Sequence, residues 1–207
     1  MTHTLHRIKR NGEPEHDFVI LAMPARGVNN DDQSPDKLKH FLRIFQKNNA
    51  VNMGGIGSGH LYDSKPEEVI EHVYRDMPMV HGVFTNREDL IGALKDIKEA
   101  DMGISIIVSG LIDEVDYCAA EAGMKRHSVN YSLGIWGDKS KLPDQKYLEI
   151  TTMCGHAMIS PQFVGKMVDD IRKGRKTIEK AALELAKPCV CGIFNAANAT
   201  EVLARLV

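Results

Sequence analysis

The chain has 207 residues, a length that suits one hydrophobic core rather than several. Its composition, 43% hydrophobic and 26% charged, is that of an average soluble globular protein, and this excludes the disordered, fibrous and membrane classes. Lysine and arginine total 26 against 28 acidic residues, and the resulting net charge of −2 gives no general attraction for nucleic acid or for an anionic membrane.

The sequence carries no sign of export or of membrane insertion. Residues 1–7 lack the apolar stretch of a secretory signal, and no window approaches the roughly 18 apolar residues that a spanning helix needs. We therefore expect a cytoplasmic protein. Thiols stay reduced in that compartment, so closely spaced cysteines are expected to bind a metal or to carry out redox chemistry rather than to form structural crosslinks.

The first part of the chain predicts strands that alternate with helices. Asn11 and Gly12 form a typical hairpin turn, and residues 18–23 form an apolar run that suits a strand buried on both faces. Ser34 and Pro35 then begin a helix. One apolar stripe of this helix is formed by Leu38, Phe41, Leu42 and Phe45.

The middle of the chain predicts a β-α-β unit. Residues 79–85 and residues 104–108 have the composition of strands, and Asn86 caps the helix between them. Residues 127–136 alternate as a further strand, and residues 147–153 predict a strand that runs antiparallel to it.

The last part of the chain is predicted to be helical. Ser160, Thr177 and Asn195 are each placed to cap a helix, so residues 160–207 form a helical subregion that can cover one face of a sheet. Together these patterns predict a single α/β domain over residues 1–207, in two or three layers. Its sheet is expected to be mixed but largely parallel, built from β-α-β units.

Two short motifs near the C-terminus supply four ligands of the kind that bind transition metals. The first contains Cys154 and His156, and the second contains Cys189 and Cys191. We expect both motifs to be extended, because Cys154 follows a predicted strand and Cys189 follows the helix-ending Pro188. Residues two apart on an extended chain project to the same side, so each pair can face one point.

The two motifs can meet if the helices between them form an antiparallel hairpin. Three thiolates and one imidazole would then make a tetrahedral set for zinc, or most of the ligands of an iron-sulfur cluster. Because one residue separates the members of each pair, whereas zinc modules usually have two to four, two other interpretations stay open. The cysteines are either ordinary buried residues or, through a bridge from Cys154 to Cys189 or Cys191, a redox pair.

A glycine-rich stretch is the second candidate site. Its backbone can come close to a ligand and offer amides to an anion. Its candidate ligand-binding residues are Gly54, Gly55, Gly57, Ser58 and Gly59. A flexible surface loop is the competing interpretation, since the spacing fits neither the dinucleotide nor the P-loop pattern. His60 and His81 are candidate acid-base groups, and each also fits a structural histidine.

Three functions follow from these motifs, and whether the protein is an enzyme stays open. The first is a protein that holds zinc or an iron-sulfur cluster at the cysteine motifs, and such a protein can be a redox enzyme or an enzyme that acts on a small molecule. The second is a metal-free enzyme that binds a phosphorylated or carboxylated small molecule at the glycine stretch. The third is an assembly component, for which a homo-oligomer is the simplest form.

Overall fold

The computed structural model describes residues 17–130 and 136–207. The strands are β1 (Phe18–Met23), β2 (Asn52–Gly55), β3 (Gly59–His60), β4 (Val80–Phe84) and β5 (Ser105–Ser109). The helices are α1 (Ser34–Lys47), α2 (Pro66–Glu71), α3 (Arg87–Ala100), α4 (Ile112–Glu121), α5 (Gln145–Thr151), α6 (Pro161–Arg172), α7 (Ile178–Ala186) and α8 (Ala196–Ala204), with a short 3₁₀ helix at Lys139–Lys141.

The five strands form one sheet in the order β3-β2-β4-β1-β5, and every neighbouring pair is antiparallel. The first strand lies between two strands that come much later in the chain. In its register Leu21 is opposite both His81 of β4 and Ile107 of β5.

The prediction of a largely parallel sheet built from β-α-β units is therefore wrong. Strands β4 and β5 do run in the same direction, since both are antiparallel to β1, and α3 connects them. They are not neighbours, however, because β1 lies between them. Strands β1 and β2, joined by α1, are separated in the same way by β4. This is a split β-α-β arrangement, in which each inserted strand replaces one parallel pair by two antiparallel pairs.

A second local prediction is also wrong, because residues 147–153 do not form a strand. The chain is helical over α5, which begins where the Asp144 carboxylate accepts a hydrogen bond from the Lys146 amide at 2.9 Å. Tyr147 and Ile150, three residues apart, both contribute to the core, and this is helical spacing. The β-branched and aromatic residues favour a strand locally, but the cap and this packing decide the outcome.

Helices cover both faces of the sheet. Along β1, Phe18 and Ile20 pack into the core that contains α1 and α3, whereas Val19 and Leu21 pack into the core formed with α5 to α8. This alternation follows from the period of two residues along a strand. On the first face, a Cβ at Gly82 would lie 2.6 Å from the Phe45 ring, so the glycine lets this helix pack closely on the sheet.

Side-chain caps fix the ends of the helices around the sheet. Asn86, Ser160, Thr177 and Asn195 each accept a hydrogen bond from an amide in the first turn of a helix, which confirms the predicted caps. Within residues 17–130 and 136–207 no helix is long and apolar enough to cross a membrane. The predicted hairpin at Asn11 and half of the predicted strand at residues 127–136, namely 131–135, lie outside the described residues, and the described residues 127–130 and 136 are not in a strand.

Candidate metal centre

The first cysteine motif lies in a turn that follows α5, not in an extended strand. The Cys154 amide donates to the Thr151 carbonyl at 3.3 Å, and the Ala157 amide donates to the Cys154 carbonyl at 3.0 Å. The turn leaves Cys154 buried and His156 exposed. The prediction that two residues of an extended chain project to one side is therefore wrong for this pair.

The second motif also lies in a turn. The Cys189 amide donates to the Ala186 carbonyl at 2.9 Å, and the Gly192 amide donates to the Cys189 carbonyl at 2.8 Å. Gly192 has a φ of +74°, a conformation that glycine adopts without strain. The expected extended backbone is absent here as well, and the turn instead brings the Cys189 and Cys191 sulfurs to 3.7 Å from each other.

The two motifs meet in space. The Sγ atom of Cys191 lies 3.7 Å from Nδ1 of His156, which is 35 residues earlier in the chain. The Cys154 and Cys189 thiols are joined by a hydrogen bond. Helices α6 and α7 pack against each other between the motifs and return the chain to this point. All four predicted ligand residues are thus brought together, with the three cysteines buried.

The three cysteines of the cluster shift one another's pKa. A hydrogen bond with Cys189 lowers the pKa of Cys191 to about 5, and the Ile193 amide and His156 act in the same direction against burial. The hydrogen bond with Cys189 likewise lowers the pKa of Cys154 to about 6, with help from the amides of Met158 and His156. The pKa of Cys189 is raised, because it is hydrogen-bonded to both neighbours and buried. These hydrogen bonds therefore favour the thiolate form at Cys154 and Cys191 over that at Cys189, and thiolate is the form that binds metal.

The separations between the donor atoms can be compared with those around a tetrahedral zinc ion. With zinc-ligand bonds of about 2.0 to 2.3 Å, two sulfurs lie about 3.8 Å apart, and a sulfur and a nitrogen about 3.6 Å apart. The two separations in the cluster, Cys189 to Cys191 and Cys191 to His156, are both 3.7 Å. In the described part of the chain, however, no group of three or more His, Cys, Asp or Glu side chains is arranged to hold a metal ion. The four donors thus fit zinc in chemical type, and two of their separations match those around one ion. The four together are not arranged around a common point.

Two residues from the sheet side hold the second motif in place, and the sequence analysis assigned neither of them a role. The buried Asn52 side chain donates to the Gly192 carbonyl and accepts from the Leu61 amide at 2.8 Å. The Tyr62 hydroxyl donates to the Phe194 carbonyl at 2.6 Å and accepts from the Ala196 amide at 3.0 Å. Burial raises the pKa of Tyr62. Because the contacts with Gly192, Phe194 and Ala196 each join residues more than 130 apart, no local sequence pattern predicts them.

The glycine stretch is a β-hairpin made of β2 and β3. Gly54 is paired with His60 and Gly55 with Gly59. A Cβ at Gly54 would lie 2.1 Å from the Gly59 carbonyl oxygen, and one at Gly55 would lie 2.7 Å from the Met79 oxygen. The buried Ser58 hydroxyl donates to the Gly55 carbonyl at 3.3 Å within the turn, and Gly57 has a φ of +90°. Close backbone packing thus explains why glycine is needed at these positions. Anion binding by this hairpin stays a prediction.

The two candidate histidines lie on either side of Gly54 in the register of the sheet. Nδ1 of His60 is 3.3 Å from the Asp63 carboxylate, and a Cβ at Gly192 would lie 2.7 Å from the His60 ring. His60 therefore packs directly against the second cysteine motif. His81 is fully buried in β4, two residues from Met79 and Val83, which pack on the C-terminal helices. Both histidines face the cluster side of the sheet, and their catalytic roles stay predictions.

Comparisons of the chain with protein-family models, with curated proteins and with solved structures gave no match.

Proposed function

We propose that this chain binds zinc or an iron-sulfur centre through Cys154, His156, Cys189 and Cys191. The observation that carries the proposal is the meeting of four soft donors from two separate turns. A bound cation would stabilise them, because each buried thiolate needs a compensating positive charge. The reduced state of all four cysteines suits a cytoplasmic setting.

Zinc is the better candidate of the two. The 3.7 Å sulfur separation in the Cys189 and Cys191 pair corresponds to two ligands of one ion. In a four-iron cluster each iron has its own cysteine, so the ligand sulfurs are held further apart than around one ion. The three-cysteine, one-histidine set is also one of the common compositions of zinc sites.

Metal analysis of anaerobically purified protein tests the proposal. We expect about one equivalent of zinc in the wild type, and less than about a tenth of an equivalent in Cys189→Ala, because structural zinc is lost when its ligands are removed. Cys118→Ala is the matched control, since Cys118 is equally buried but lies in the core on the opposite face of the sheet. This variant should keep the metal. Wild-type protein without zinc, iron or nickel, under conditions that keep its thiols reduced, would overturn the proposal.

A second candidate function is thiol redox chemistry, favoured by the hydrogen bond between Cys154 and Cys189 and by the lowered pKa of Cys154. A thiolate next to a thiol is the arrangement that forms a reversible disulfide. Peptide mapping after mild oxidation with glutathione disulfide separates the two functions. A Cys154–Cys189 disulfide in metal-free wild type, reversed by reduced glutathione, would support the redox function, whereas zinc-loaded protein should resist the oxidation.

A further inference from the structure

The four candidate ligands are not equally accessible to solvent. Cys154, Cys189 and Cys191 are 2%, 1% and 5% exposed, whereas His156 is an exposed residue. Its Nδ1 reaches the cluster from outside, at 3.7 Å from the Cys191 sulfur. The cluster thus has a buried side made of sulfur and an outer side closed by one imidazole.

The turn that carries His156 differs from the turn that carries the last two cysteines. Ala157, directly after the histidine, is exposed and has a φ of +55°, a left-handed conformation that costs a residue with a Cβ about 1 kcal/mol or more. The two backbone hydrogen bonds described above for this turn join residues no more than three apart. The imidazole is therefore presented on a strained, locally bonded turn.

Each cysteine motif also has an exposed apolar side chain within it or next to it in the chain. Met158, whose amide is bonded to Cys154, is 54% exposed, and Val190, between the other two cysteines, is 74% exposed. Exposed apolar groups next to a polar cluster fit a ligand whose body is uncharged. Sulfur donors are in addition the ligands that a metal held by three thiolates accepts well.

We propose, on the basis of the metal site proposed above, that the three cysteines hold the metal while His156 is an exchangeable fourth ligand, whose position accepts the thiol of a small molecule. Structural zinc sites are closed by four fixed protein ligands, whereas reactive sites have three and an exchangeable position. In the exchange the metal-Nδ1 bond breaks and a metal-sulfur bond forms. The proton of the incoming thiol passes to the released imidazole, so no oxidant or reductant is needed.

The test uses full-length protein loaded with Co²⁺, whose sulfur-to-metal absorption reports each bound thiolate, and 2-mercaptoethanol as the probe. We expect the probe to increase this absorption in the wild type. His156→Ala should bind zinc within about tenfold of wild-type affinity and should bind the probe at a concentration at least about fivefold lower, since no imidazole competes for the position. Free imidazole should restore the wild-type spectrum of this variant. His72→Ala, which removes another exposed histidine, should behave as the wild type.

The possible results separate this inference from the metal site on which it rests. Loss of the metal from His156→Ala, as complete as from Cys191→Ala, would show a closed four-ligand site and overturn the exchangeable position alone. The same conclusion follows if the metal stays bound but the probe leaves the spectra of wild type and His156→Ala unchanged. Wild-type protein that binds no Co²⁺ or zinc overturns both proposals.

Discussion

The two cysteine motifs have similar local structures and very different surroundings. Each lies in a turn directly after a helix, yet the turn around Cys189 is held by side chains from the distant hairpin, whereas the turn around Cys154 is closed by local hydrogen bonds. The turn around Cys189 buries both Cys189 and Cys191, whereas the turn around Cys154 leaves His156 exposed. One half of the candidate site is thus hydrogen-bonded to residues of the sheet side, and the other half is closed by hydrogen bonds within its own turn.

In the proposed metal site, this difference corresponds to one half that is held rigidly and one half that is more open. The turn that carries Cys189 and Cys191 is held by hydrogen bonds from the Asn52 and Tyr62 side chains to the Gly192 and Phe194 carbonyls. If this view is right, variants that loosen the second turn should affect both folding and metal binding more than variants near the first turn.

The largest effect is expected from Gly192→Ala. The substitution adds a Cβ 2.7 Å from the His60 ring at a position with a φ of +74°. Steric overlap and left-handed strain together should lower the free energy of unfolding by about 2 to 4 kcal/mol, measured by urea denaturation. Gly174→Ala is the control, because its φ is +68° but nothing lies within 4 Å of the added Cβ, so it should cost about 1 kcal/mol.

The overlap with His60 can be isolated by a second substitution. When Gly192→Ala is combined with His60→Ala, the excess loss over Gly174→Ala should largely disappear, because the ring that the new Cβ meets is gone. Equal losses in Gly192→Ala and Gly174→Ala would mean that the second turn does not pack against the hairpin as described.

A smaller effect is expected from Tyr62→Phe. Removing the hydroxyl leaves the buried Phe194 carbonyl and the Ala196 amide without this partner, which should cost about 1 to 3 kcal/mol in urea denaturation and lower the zinc content. Tyr74→Phe removes the same group from a tyrosine that is 45% exposed and donates to the Ile56 carbonyl. This control should cost no more than about 0.5 kcal/mol and leave zinc unchanged. A Tyr62→Phe protein with wild-type stability and zinc content would contradict the support that we assign to the hairpin.

The smallest effect at neutral pH concerns the helix pair that connects the two motifs. Asp170, at the end of α6, binds Lys166 at 2.7 Å and also Arg175, and these hydrogen bonds lower its pKa to about 2. The ordinary pKa of an aspartate is about 3.9, so the native protein binds fewer protons than the unfolded chain between these values. The stability that Asp170 contributes is therefore fully present above pH of about 4 and is lost as the pH falls toward about 2.

Urea midpoints measured between pH 5 and pH 2.5 test this contribution. The midpoint of Asp170→Asn should be lower than that of the wild type at pH 5, and the difference should shrink as the pH falls. Asp169→Asn changes an exposed neighbour on the same helix and should follow the wild-type pH dependence. A difference that is constant over this range would show that ionised Asp170 does not stabilise the helix pair.

Local sequence signals predicted much of the secondary structure and failed where contacts between distant segments decide the conformation. The caps at Asn86, Ser160 and Thr177 involve residues three apart, and the structure contains all three. Residues 147–153 were predicted to form a strand, but most of them lie in α5, because the Asp144 cap and the core packing outweigh the strand propensity of the residues. The prediction of a largely parallel sheet is wrong for a similar reason, since the position of β1 between β4 and β5 depends on contacts between distant segments.

The sequence by itself determined the helix caps, the apolar stripes of the helices, and the identity of the four soft donors, because each depends on residues within a few positions of one another. Only the tertiary structure decided that the sheet is antiparallel and that Cys154 and His156 meet Cys189 and Cys191 through turns. It alone placed Asn52 and Tyr62 behind the second turn. These features are set by the packing of distant segments on both faces of the sheet, and no short window of residues encodes that packing.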